Sequence, residues 1–256
     1  MNPEISHVAG GGRPSARLRR LLRDTGRGIN EFAMIGAGDR VIVGVSGGKD
    51  SLTLALALSL RRRHLPISYE VEAVHVDWRE HALPAEQLQH LQAFFDTIEV
   101  PFRSIPMSMF PPSFKGRFDC YLCARNRKRV LFDVAREREA SLVAFGHHLD
   151  DIVETTLMNI CFRGSFATMK PVQELFGGAL RIIRPLCRVG EREISAISDY
   201  LQLPVTSIDC PLKQTNVRTA LKPIVRELQR CDKRVRENIF RAGWNINFDY
   251  LPQRPS

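Results

Sequence analysis

A hexapeptide with two adjacent glycines, a lysine and two hydroxyls, Ser46-Gly47-Gly48-Lys49-Asp50-Ser51, holds the residue types that bind a phosphate. Gly47 and Gly48 let the backbone turn tightly and approach an anion, Lys49 supplies a point charge, and Ser46 and Ser51 supply hydroxyl donors. A Walker A loop runs Gly-x-x-x-x-Gly-Lys followed by Ser or Thr. Here Asp50 follows Lys49 and Val43 stands where the first glycine belongs, which excludes the usual γ-phosphate hydrolase. The expected anion is a nucleotide polyphosphate. Elsewhere, Asp151 and Glu154 are three apart, share a helix face and have the chemistry to hold a Mg²⁺ that bridges phosphates. Cys120-Tyr121-Leu122-Cys123 puts two thiols one turn apart at a helix start, where metal, cluster and redox disulfide all remain open. Asp77 closes an apolar run, where it either meets a nucleotide or caps a turn at the sheet edge. The adjacent His147 and His148 read as hydrogen-bonded structural residues, and Cys161, Cys187 and Cys231 as structural thiols.

These residues need strands that end beside them and helices that start from them. Val41 to Val45 is a β-branched run of the kind buried on both faces of a parallel sheet, and Leu52 to Leu60, apolar nearly all round, predicts a buried helix after the loop. Strand patterns recur at 69–77, 101–106, 141–146 and 181–186, with helical patterns at 84–98, from 120 through 135, onward from 147, and at 191–203. Residues 107–119 read as a loop. The alternation predicts an α/β fold, a doubly wound parallel sheet with helices on both faces. Past Pro204 the pattern turns helical and basic, at 215–231 and 233–244.

The expected organisation is a disordered tail over 1–14, a basic N-terminal helix over 15–36 broken near Gly26 and Gly28, and an ATP-binding domain over 37–205. A small helical C-terminal region over 206–248 and a tail over 249–256 complete it. A formal charge of +9 and a pI near 9.6 point to a polyanionic partner. The longest apolar run is too short for a bilayer and the N-terminus has no signal-like apolar core, so a cytoplasmic chain with no membrane partner is expected. Six cysteines are too few for a disulfide scaffold at this length.

The Ser46 to Ser51 loop resembles the pyrophosphate loop of the ATP pyrophosphatases, which cleave ATP between its α- and β-phosphates. Joined with Cys120-x-x-Cys123, Gly146-His147-His148-x-Asp150-Asp151-x-x-Glu154-Thr155 and Cys210-Pro211, it is similar to the tRNA 2-thiocytidine synthetase family. That resemblance spans roughly residues 35 to 240, and several motifs in order are far more specific than one. It implies a Rossmann-like, HUP-type domain that uses ATP and Mg²⁺ to thiolate an anticodon-loop cytidine of tRNA, with a sulfur donor and a homodimeric assembly. It implies a [4Fe–4S] cluster on Cys120, Cys123 and Cys210. The candidate catalytic residues are Lys49, Asp50 and Asp151, and the candidate nucleotide contacts are Ser46, Gly47, Gly48, Lys49, Asp50, Ser51, Asp77, Gly146, Asp151 and Glu154. Members often carry a second Cys-x-x-Cys at the third position; this chain has Cys210-Pro211-Leu212-Lys213, keeping the first cysteine, which is the ligand. Three thiolates suit a cluster with one open iron. The rival readings are a related thiouridine or lysidine synthetase, a non-catalytic ATP- and RNA-binding protein, and a zinc scaffold on Cys120, Cys123 and a histidine.

Overall fold

In the computed structural model, which describes residues 2–63, 66–110, 120–206 and 217–252, the β-branched runs become the strands of one six-stranded sheet. The strands are β1 (Arg40–Val45), β2 (Glu70–Trp78), β3 (Phe102–Met107), β4 (Leu142–Ala144), β5 (Val172–Leu175) and β6 (Leu180–Ile183), in the spatial order β3-β2-β1-β4-β6-β5. All neighbours are parallel except the β5 and β6 hairpin at one edge. The order reverses between β1 and β4, the place where open α/β sheets bind ligands beyond the carboxyl ends of their strands.

The chain divides into two compact units, Met1–His148 with Pro171–Lys213, and Leu149–Lys170 with Gln214–Ser256. The first holds the sheet with α1 (Pro3–Ala9), α2 (Ala16–Glu31), α3 (Lys49–Arg62), α4 (Ala85–Thr97), α5 (Cys120–Glu137) and α7 (Glu191–Leu201). The second is helical, built from α6 (Leu149–Arg163), α8 (Val217–Cys231) and α9 (Val235–Ala242). In α3 every residue from Ser51 to Leu60 is buried, which is why its sequence shows so little amphipathic contrast. On the sheet, Ile42, Val74, Val76 and Trp78 pack with Leu131 and Val134 of α5 in one apolar cluster. No helix among the described residues is long and apolar enough to cross a membrane.

Three local expectations are corrected. The N-terminal segment is ordered into α1: Asn2 caps it by accepting from the Glu4 N–H at 2.9 Å, Pro3 takes the first helical position, and Ile5, Val8 and Ala9 are buried. Its Gly and Pro content masked a short apolar stripe. Helix α2 runs unbroken through Gly26 and Gly28, both of which mark close packing. A Cβ at Gly28 would lie 2.9 Å from Cys187 Sγ and 3.1 Å from the Pro185 carbonyl. A Cβ at Gly26 would overlap the Arg61 guanidinium, which donates to the Leu22 carbonyl at 2.7 Å. Finally, the sheet has an antiparallel edge strand, β5, joined to β6 through Phe176, Gly177 and Gly178, all at positive φ. That Gly-Gly pair was the available hairpin signal.

Candidate active site

The apolar strand β1 delivers the chain to Ser46, and α3 starts at Lys49 with Gly48 as N-cap. Gly47 adopts φ +80°, a left-handed conformation that side-chain-bearing residues avoid. Gly48 caps α3 with no side-chain hydrogen bond, so the helix start presents backbone N–H groups and the positive end of its dipole. The hydroxyls stiffen the turn. Ser51 Oγ accepts the Ser46 N–H at 3.2 Å and donates to the Gly48 carbonyl at 2.9 Å, and Ser46 Oγ accepts the Gly48 N–H at 3.3 Å. Ser46 and Ser51 thus shape the loop around its glycines.

Lys49 Nζ lies 3.3 Å from Asp50 Oδ1 and 3.7 Å from Glu191 Oε1 at the start of α7. His148 Nε2 is 3.9 Å from the same Asp50 oxygen, and His148 is buried. The motif residue therefore faces the loop carboxylate. Gly146 packs on the loop as well: a Cβ there would come within 2.8 Å of the Asp50 carbonyl and 2.9 Å of the Ser51 nitrogen. Its lack of a side chain lets the end of β4 seat against the first turn of α3.

Asp77 stands beyond the last β1 residue paired with β2, since Val45 pairs with His75. Its Oδ1 accepts the Leu83 N–H at 3.0 Å, so the turn-capping reading describes its present contact. His75 donates its Nδ1–H to the Val45 carbonyl, 2.9 Å away, and its buried imidazole is held below its ordinary pKa by desolvation.

In the helical unit, Asp151 and Glu154 occupy the first turns of α6, with Asp151 half-buried and Glu154 buried. Directly before Asp151 in the motif, Asp150 pairs with Arg236 of α9 at 2.9 Å, an ion pair largely removed from solvent. Asp150 is thereby committed to holding α9, which the sequence pattern did not separate from its neighbour Asp151. Thr206 also escaped notice: its N–H donates to the Gly47 carbonyl at 2.9 Å, and its side chain packs directly on Gly47. Arg236 and Thr206 are remote from the motifs, and nothing in their local sequence marks them.

Cys120 and Cys123 lie on the first turn of α5, three residues apart and so on one helix face. Cys123 is half-buried, with Arg127 Nη2 4.0 Å from its Sγ. Cys210 and the side chain of Cys120 lie outside the described residues, and among the described residues no three His, Cys, Asp or Glu groups come together. Cys187 is buried and its thiol is pushed up to about 12 by desolvation, as befits a structural residue. Cys161 and Cys231 are exposed, contrary to a packing role.

Comparison with known proteins agrees with this geometry. Residues 21–207 match the family model of the PP-loop domain. The chain is 34% identical over 246 residues to the tRNA-cytidine(32) 2-sulfurtransferase of Anaeromyxobacter sp. (strain Fw109-5), covering 92% of this chain and 78% of that protein. It is 36% identical over 242 residues to the protein of the same name from Pseudomonas fluorescens (strain Pf0-1), covering 92% and 87%. Among solved structures, the U34-tRNA thiolase NcsA from Methanococcus maripaludis with its [4Fe-4S] cluster superposes with a TM-score of 0.74 at 18% identity, over 97% of this chain and 88% of that one. At that identity the superposition speaks for the fold, a Rossmann-like sheet shared by both. A pyrophosphate-type loop at the switch point of such a sheet, together with the family match and these relatives, establishes that the chain belongs to the PP-loop family of the tRNA-cytidine(32) 2-sulfurtransferases.

Proposed function

We propose that this chain is an ATP-dependent tRNA sulfurtransferase that converts a cytidine of the anticodon loop, cytidine 32 by analogy with its relatives, to 2-thiocytidine. The observation that carries the reading is the loop itself, an uncapped helix start behind a left-handed Gly47, in a chain a third identical to these enzymes over nine-tenths of its length. The partners are tRNA and a persulfide or sulfide source, and the working assembly is a homodimer.

The loop amides and Lys49 receive the β- and γ-phosphates of ATP, and Asp50 in the loop and, on α6, Asp151 and Glu154 would each offer a carboxylate to Mg²⁺. The cytosine C2 oxygen attacks the α-phosphorus; the bond from that phosphorus to the bridging oxygen breaks, and pyrophosphate leaves. Positive charge from Lys49 and the loop N–H groups, fixed in place before reaction, stabilises the charge that develops on pyrophosphate. Hydrosulfide then attacks C2, the C2–O bond breaks with AMP as leaving group, and the sulfur's proton is released. With sulfide as the donor no electron is exchanged, whereas a persulfide donor would require a two-electron thiol reductant to release its outer sulfur as hydrosulfide.

The spacing of Cys120 and Cys123, three apart at the start of α5, with the half-buried Cys123 thiol, supports a pair of thiolate ligands for an iron–sulfur cluster. Cys210 supplies the third thiolate in this reading. When bound, a cluster held by three cysteines offers one iron position for an incoming sulfide.

The test is RNA- and sulfide-dependent release of pyrophosphate and AMP, followed by nucleoside mass spectrometry of the tRNA. Wild-type protein should form 2-thiocytidine, and Lys49→Met should lower turnover on the order of 100-fold, the scale of losing one preorganised charge-stabilising donor. Release of ADP and phosphate, or thiolation by Lys49→Met at the wild-type rate, overturns the reading.

A further inference from the structure

Ten of the fifteen large hydrophobic side chains that stand exposed among the described residues belong to the helical unit, which is about a quarter of the chain. The same unit carries eleven Lys and Arg against seven Asp and Glu. Five of the exposed groups are aromatic, and three of them, Phe162, Phe166 and Trp244, stand on the segments that meet at the ends of α6 and α9. Asn159 of α6 donates to the Ala167 carbonyl at 2.8 Å, and the hydroxyls of Thr156 and Thr168 are 2.8 Å apart, which folds the segment after α6 back on the helix. Thr168 in turn packs at the close of α9, since a Cβ at Gly243 would meet its Cγ2 at 3.4 Å. Phe166 stands two residues before Thr168 and Trp244 directly follows Gly243, with Phe162 in the last turn of α6, and all three are exposed. The buried Phe240 ring meets Trp244 in a T-shape, 4.8 Å between centroids at 90°, which fixes the indole while Trp244 stays 48% exposed. Arg163, Lys170 and Arg241 are exposed on the same segments.

Apolar area of this kind, exposed among cations, has two ordinary uses: burial against another protein, or stacking with unpaired bases while the cations meet phosphates. A surface for self-association is expected to be depleted of charge at its centre, with aliphatic and aromatic residues together. Here Phe162, Phe166 and Trp244 are flat rings, each more exposed than the neighbouring Ile160 and Ile246, and all three lie in sequence within three residues of an arginine. Single-stranded RNA suits that pattern, because its bases splay out and stack on aromatic faces.

We propose that Phe162, Phe166 and Trp244, with Arg163, Lys170 and Arg241 around them, form a stacking surface for unpaired bases of the RNA substrate. The proposal rests on the tRNA thiolation reading and adds to it the surface and the chemical form of the partner.

Tryptophan emission supplies a direct reporter. The chain has two tryptophans, and Trp78 is 2% exposed in the sheet core, so quenching on binding reports Trp244. The full chain is titrated with an RNA hairpin bearing a single-stranded loop and, separately, with a fully paired RNA duplex of equal length. The hairpin should quench emission, the duplex should not, and Trp244→Phe should abolish the quench. Phe166→Ala and Trp244→Ala should each weaken hairpin affinity about tenfold, within the range for one stacked base, while circular dichroism and ATP affinity stay unchanged. Quenching that persists in Trp244→Phe, equal quenching by duplex, or unaltered affinity in both alanine variants overturns the surface. So does sedimentation showing that the variants lose self-association while affinity for RNA is retained. Hairpin-specific quenching without RNA-dependent pyrophosphate release leaves the surface standing and overturns the thiolation reading instead.

Discussion

Gly47 concentrates two constraints on one atom. A Cβ there would lie 1.8 Å from Thr206 Oγ1, and φ +80° disfavours any L side chain even where space exists. Gly47→Ala should therefore deform the loop that receives the phosphates, weakening ATP binding by roughly tenfold or more, about 1.4 kcal/mol, with the fold retained. Calorimetric titration with a non-hydrolysable ATP analogue checks this. Thr206→Ala combined with Gly47→Ala should recover part of the loss by removing the overlap, and the residue would be the strain of the backbone conformation. Binding of the single variant at wild-type affinity would show that the loop tolerates a Cβ and that the contact with Thr206 is unimportant. The double glycine was conspicuous in the sequence, whereas its partner was not, because residues 47 and 206 meet only through the closure of the sheet domain.

At the scale of an element, α2 shows how a residue's reputation can mislead. Two glycines in sixteen residues suggest a break, since glycine is about 1 kcal/mol less favourable than alanine in a helix interior. The helix continues because Leu18, Leu21, Leu22 and Ile29 are buried and Gly28 lets it approach the Pro185–Cys187 segment. Its arginines are also less available than a helical wheel suggests: Arg20, Arg23 and Arg27 lie within 3.8, 3.0 and 3.9 Å of the largely buried Asp24, and Arg20 also lies 3.2 Å from Glu193. Propensity and packing make opposite predictions for Gly28→Ala. If packing governs, the substitution destabilises by about 1 to 3 kcal/mol through overpacking against Cys187 and a backbone carbonyl. Urea unfolding reads the sign directly, and a stabilised variant would return the position to helix propensity alone.

For the whole molecule, His75 links folding to pH. It is 1% exposed, its ring nitrogen Nδ1 is 2.9 Å from the Val45 carbonyl, and burial lowers its pKa below 6.5, with Arg127 acting in the same direction and Asp77 against it. A histidine held neutral in the fold binds its proton more readily when unfolded. Stability is therefore complete above the unfolded pKa and declines as pH falls through 6.5 toward the lower folded value, by at most about 1.4 kcal/mol per pH unit for one proton. His75→Gln should flatten that part of the curve between pH 7.5 and 5.5, measured by urea midpoints at each pH. An unchanged slope would mean that His75 is not the titrating group.

What the sequence determined alone was local and periodic: the β-branched runs, the buried α3, the strand-loop-helix context of Ser46 to Ser51, and hence the α/β class and the phosphate chemistry. These follow from propensity, hydrophobic period and backbone sterics, which act over a few residues. The tertiary structure decided what depends on distant partners. It placed Thr206 on Gly47 and Gly146 on the first turn of α3, committed Asp150 to Arg236, kept α2 whole, and ordered the N-terminal segment as α1. It also assigned α6, with its Asp151 and Glu154, to the helical unit rather than to the sheet unit that the strand alternation suggested. Contacts between residues far apart in sequence are set by which surfaces packing brings together, and no window along the chain contains that information.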